Sequence, residues 1–201
     1  YAGYAIFHPL EGFWELKYLN KGSVVSASII LAAFCMTYVF SRLFTGFVFN
    51  TIDLSQFNVV FEVVSILLPF GLWCGANWAL TTLMEGKGTI RDVYIATAYS
   101  LVPMILVLIP LTIVINFIAA EEGFLFYWLP LLLGLAWSGI LVVLGAVMTT
   151  HEYDLRKTVL TCILTVAGMV FTMFLALLFV DLVEEVAAFV NELITEFSYR
   201  T

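Results

Sequence analysis

The sequence predicts an all-α, polytopic membrane helix bundle with five transmembrane helices. Three observations carry that prediction. Of 201 residues, 63% are hydrophobic and only 11% charged, at a mean hydropathy of +1.06, whereas a soluble domain is about a quarter charged. Five apolar runs lie near or beyond the roughly 20 residues that a spanning helix needs. None of them alternates polar with apolar residues as a barrel strand would, and an open strand in lipid would leave its backbone unsatisfied. The same composition excludes a soluble globule and a disordered chain. With a net charge of −7, no polybasic arm is available for nucleic acid or anionic lipid.

Taken in order, residues 1–22 form a cytoplasmic segment in which aromatics mix with charges, from His8 and Pro9 through Trp14, Glu15 and Lys17 to Tyr18. That pattern predicts an N-terminal interfacial helix. The chain opens on Tyr1 rather than methionine, which leaves room for residues ahead of it, and the segment lacks the charged-then-apolar order of a signal peptide. The transmembrane domain occupies 23–180, with spans at 24–40, 57–84, 93–118, 125–148 and 159–180. Pro69, Pro103 and Pro110 interrupt the second and third spans, and each removes a backbone donor and can kink its helix. Beyond the fifth span, 181–201 keeps a helical period. Leu182, Val186, Phe189, Leu193 and Phe197 fall on one stripe, with Glu184, Glu185, Glu192 and Glu196 mostly elsewhere. A C-terminal extracytoplasmic amphipathic helix is the prediction, continuing the fifth span or bending from it. The stripe either docks a protein partner or packs on the chain's own outer loops near Phe47 and Phe49.

Orientation follows from the basic residues. Lys17, Lys21, Lys87, Arg91, Arg156 and Lys157 share one side, while only Arg42 and Arg200 lie on the other. The positive-inside rule therefore places the N-terminus in the cytoplasm and the C-terminus outside. Six acids cancel the six inner bases, and the remaining nine, against two bases, put the whole −7 on the outer face.

Polar groups within spans mark candidate sites, because lipid penalises them. Arg42 closes the first span and Glu62 opens the second on the same side, so an ion pair is expected there, with a partner contact or snorkelling as alternatives. Asn77 and Asn116, with Thr81 and Thr82, suit hydrogen bonds between helices. Gly71 and Gly75 make a GxxxG that would allow close helix packing, and Pro103 is a candidate packing kink. The residues from Glu85 to Thr89 lack Walker spacing, and His151-Glu152-Tyr153-Asp154 lacks the second histidine of a zinc-protease helix. Cys35, Cys74 and Cys162 sit in apolar runs as small hydrophobes. No catalytic set, cofactor site or metal site is indicated.

Two segments carry a resemblance. Asn77-Trp78-Ala79-Leu80-Thr81-Thr82-Leu83-Met84-Glu85-Gly86-Lys87-Gly88-Thr89 and Asp92-Val93-Tyr94-Ile95-Ala96-Thr97-Ala98-Tyr99-Ser100-Leu101-Val102-Pro103 resemble bacterial members of the Yip family. These are five-span membrane proteins related to the Rab-GTPase-interacting Yip proteins of eukaryotes. The family's Gly-Tyr-x-Leu-x-Pro element corresponds to the stretch from Ala98 to Pro103, with Ala98 in place of glycine. The resemblance covers about residues 5–180. It implies the same topology as the charge count, no catalytic residues and no cofactor. It further implies a membrane scaffold whose bacterial relatives serve as accessory factors for larger complexes, ABC-type transporters among them. The expected function is thus a non-enzymatic accessory subunit or assembly factor in the bacterial cytoplasmic membrane. The alternative is a small-solute or cation transporter or channel, with Glu62 and the acidic outer rim drawing cations.

Overall fold

The structure, a computed structural model, describes residues 2–19, 21–46, 57–84, 86–118, 120–149 and 155–199; within those helices the side chains of 120–124, 148–149, 193–194 and 196–199 lie outside the description. Every described element is helical, and among the described residues there is no strand. Two short helices, α1 (Ala2–Phe7) and α2 (Pro9–Tyr18), precede α3 (Val24–Phe44) and α4 (Val59–Leu83). Then follow α5 (Ile90–Ser100), α6 (Val102–Val114) with a 3₁₀ turn (Ile115–Phe117), α7 (Ala120–Thr149) and α8 (Leu155–Tyr199). Five stretches are long and apolar enough to cross a membrane, with α5 and α6 together making the third.

Local chemistry sets the starts of three of these helices. The Ser23 hydroxyl accepts the Ser26 N–H at 3.0 Å ahead of α3. Asn58 Oδ1 accepts the N–H groups of Val60 and Phe61 ahead of α4. At α5, Thr89 and Asp92 close a reciprocal capping box, each side chain accepting the other's backbone N–H. The segment 86–89, which lacks Walker spacing, is a short connection whose last residue caps a helix.

The third span is broken at Leu101, where the chain turns from α5 into α6 and Pro103 stands in the first turn of the new helix. A proline costs nothing there, because a first-turn N–H has no intrahelical acceptor. Pro69, Pro110 and Pro130 lie inside α4, α6 and α7. The third span is central: half of its most apolar stretch is buried, against 6% for α4 and 6% for α8. Helices α3, α4 and α7 pack around it, and α8 packs chiefly on α4.

The N-terminal segment is part of this core. Phe13 is fully buried among Leu16, Ile95, Ala96, Tyr99 and Leu141. Its ring lies so close to Gly145 that a Cβ there would sit 3.2 Å away. A Cβ on Gly12 would come within 2.7 Å of the Ala5 Cα, so α1 can fold back on α2 only over a glycine. Lys21 then ties the following turn to Glu15 at 2.7 Å. The helix expected at the interface is present over Pro9–Tyr18, and its apolar face is buried on protein, with Leu10, Trp14 and Tyr18 left outward.

Candidate functional site

The polar groups of the spans sort into a seam, an ion pair and a clamp. The seam joins α4 to α8. Asn77 is 2% exposed, and its Nδ2 donates to the Thr165 hydroxyl at 3.3 Å. One turn on, Thr161 donates to its own helix at the Lys157 carbonyl and approaches the Met84 sulfur at 3.0 Å. Thr158, Thr161 and Thr165 recur at i, i+3 and i+7 and are fully buried, so they form one face of α8. Asn77 was legible as helix glue; its threonine partners were missed, although their spacing stands in the sequence. Thr81 is buried on the same face of α4, while Thr82 bonds back to the Trp78 carbonyl within its own helix.

Arg42 and Glu62 do meet, Nη2 to Oε1 at 3.5 Å, with side chains 38% and 12% exposed. Leucine at either position should destabilise the protein by about 1–3 kcal/mol, because the remaining charge loses this contact near lipid. The double replacement should cost less than the sum of the two singles. Thermal melts of the three variants in detergent check this, and additive losses would show that the two groups act independently.

Asn116 clamps the far end of the central span. Its Nδ2 donates to the Phe44 carbonyl at 2.9 Å, joining the end of α3 to the 3₁₀ turn after α6. The glycine pair behaves differently from expectation. A Cβ added at Gly71 or Gly75 would meet nothing within 4 Å, so among the described residues no close helix approach is made there. The reason is the face: α4 turns Cys74, Asn77 and Thr81 inward and leaves Gly71 exposed. Among the described helical glycines, close approaches fall instead at Gly12, Gly134 and Gly145.

Chemistry is sparse. The described residues contain no group of three or more His, Cys, Asp or Glu able to hold a metal, and His151, Glu152 and Asp154 lie outside them. Cys35, Cys74 and Cys162 are buried and unbridged. On α1, the Tyr4 hydroxyl donates to Glu11 at 2.7 Å, and that bond raises the phenol above its ordinary pKa.

The C-terminal stripe is the largest feature. Helix α8 runs 45 residues without a break, about 67 Å at 1.5 Å per residue. A bilayer with its headgroups is about 40–45 Å thick, so a helix standing upright extends some 20 Å past it. From Val170 to Glu192 every side chain is exposed, including Leu182, Val186 and Phe189, the last at 61%. Nothing in the described part of the chain covers them. The side chains of Leu193 and Phe197, and all of Phe47 and Phe49, lie outside the described residues.

The Yip1 domain matches residues 3–178, nearly the whole of the bundle. The chain belongs to the Yip1 family. No curated protein and no solved structure matches it. The Yip1 domain therefore takes in α1 and α2, in keeping with their place in the core, and ends at residue 178, before the acidic part of α8 that begins at Asp181. Its third-span element is structural: Ala98 and Ser100 are fully buried, Tyr99 is 5% exposed, and Leu101 carries the helix break. As a Yip1-family protein with five apolar spans, it is a multi-pass membrane protein, of a family not known for enzymatic activity.

Proposed function

We propose that this Yip1-family chain is a non-enzymatic scaffold of the bacterial cytoplasmic membrane, an accessory subunit or assembly factor of a larger complex, with ABC-type transporters the first candidates. The observation that supports this reading is the outer part of α8, where apolar and acidic side chains stand exposed together from Asp181 to Glu192. A surface of that kind marks an interaction site more often than an idle one. A carrier would hold ionisable groups near the bilayer midplane. Arg42 and Glu62 instead lie in the last and first turns of their helices, which favours the scaffold. Purification in gentle detergent, with identification of whatever elutes in fixed ratio, tests the reading. A stoichiometric membrane subunit is expected, and a chain that always elutes alone would count against it.

The orientation proposed here has the N-terminus in the cytoplasm and the C-terminus outside. In a background without the three native cysteines, Glu122→Cys should react with an impermeant thiol reagent in intact cells and Lys87→Cys should not. The opposite labelling would invert the topology.

A further inference from the structure

We infer that a single water is bound at the junction of α4, α5 and α7, donating one proton to Asn77 Oδ1 and the other to Thr97 Oγ1. A cavity of about 10 Å³ lies there, with Asn77, Val93, Thr97, Val142 and Ala146 in its wall. That matches the lower end of the roughly 10–15 Å³ that one water requires, and it leaves no room for a larger ligand.

Hydrogen-bond direction selects the occupant. The Thr165 hydroxyl donates to the Thr161 carbonyl at 2.7 Å. Its one proton is used there, so toward Asn77 it can only accept. This fixes the Asn77 amide. Nδ2 turns to Thr165 at 3.3 Å, and Oδ1 is the end that remains for the cavity, whose described wall includes no residue of α8. Asn77 is 2% exposed, and no described group donates to its Oδ1. Buried acceptors are almost always bonded, because leaving one bare costs more than a hydrogen bond returns.

The α5 wall has the same polarity. The Thr97 hydroxyl is buried and donates to the Val93 carbonyl at 2.7 Å, so it too has only its two lone pairs to offer. The Cys74 thiol, a weak donor beside it, can take one and leaves the other. Two acceptors across one small cavity call for a molecule with two donors. Water has both O–H groups and the size. A hard divalent cation does not fit, since it takes six or more oxygens and Val93, Val142 and Ala146 supply apolar side chains.

The water gives one amide a hold on three helices. Nδ2 joins α4 to α8, and Oδ1 joins α4 through the water to α5. Helix α4 has little other burial to fix it, with only 6% of its most apolar stretch shielded.

The test is a crystal structure of the full chain grown from a lipidic mesophase, for the wild type and two variants of Thr97. In the wild type an ordered water should stand about 2.7–3.0 Å from both oxygens. Thr97→Val keeps the shape and removes the acceptor. The water should be lost, and the melting temperature in detergent should fall by about 2–4 °C, as one missing hydrogen bond requires. Thr97→Ser returns the hydroxyl and should return the water. A wild-type site without water, or with a protein group donating to Asn77 Oδ1, would overturn the inference. So would a water that stays unchanged in Thr97→Val.

Discussion

Phe13→Ala should destabilise this protein by about 3–5 kcal/mol, the cost of emptying a fully buried phenyl site, and no single change elsewhere in the first 22 residues should match it. The side chain is wholly shielded and touches both α5 and α7 through Ala96 and Gly145. Alanine there leaves a cavity whose walls are helices α5 and α7, held in place by the rest of the bundle. The apparent melting temperature in detergent should fall by about 2–4 °C per kcal/mol in a chain of this size. Phe7 supplies the control, because it is 79% exposed on the neighbouring helix. Phe7→Ala should move stability by no more than about 0.5 kcal/mol. If Phe13→Ala instead melts like the wild type, α2 is a loosely held surface helix and the N-terminal segment is no part of the core.

That result bears on why some of this fold was legible from sequence and some was not. The spans were visible because each must satisfy its backbone alone in lipid and cover itself in apolar side chains, so length and composition suffice. The capping residues Ser23, Asn58 and Thr89 were equally readable in principle, since their signals are local. The burial of Phe13 was not. Its surroundings, Ile95, Ala96, Leu141 and Gly145, lie more than 80 residues away in sequence, and a helix with apolar and charged faces reads the same whether it lies on lipid or on protein.

The candidate residues divide along the same line. Arg42 and Glu62 were paired correctly because two consecutive antiparallel spans bring the end of one beside the start of the next. Asn77 and Asn116 were recognised as polar groups needing partners, but the partners, Thr165 and the Phe44 carbonyl, are 88 and 72 residues distant. Gly71 and Gly75 mislead for a reason the sequence cannot hold. A small-residue motif permits a close helix approach, but which helix arrives on that face is settled by the packing of all the others, and in this chain α8 and α5 take the Asn77 side. Pro103 shows the reverse case, where a helix breaker in the middle of an apolar run marks the boundary between two helices that together cross once.

Truncation after Val180 should abolish capture of the partner subunit proposed above while leaving the bundle's stability within about 0.5 kcal/mol of wild type. The hydrogen bonds that join α8 to α4 come from Thr161 and Thr165, and from Val170 to Glu192 every side chain is exposed. Removing residues 181–201 therefore deletes surface, not packing. Leu182, Val186 and Phe189 stand on one face, and burying a few such side chains at an interface is worth about 2 kcal/mol or more for each anchor. Serine at all three should weaken capture nearly as far as the truncation does. The acids act at longer range. Glu184→Lys with Glu185→Lys should slow association and reduce its dependence on salt, because steering works through the field rather than through contact. Binding measured at two ionic strengths separates these contributions. A truncated chain that keeps its partner and melts several degrees lower would mean that the outer helix folds back on residues of its own chain, and the docking reading would be lost.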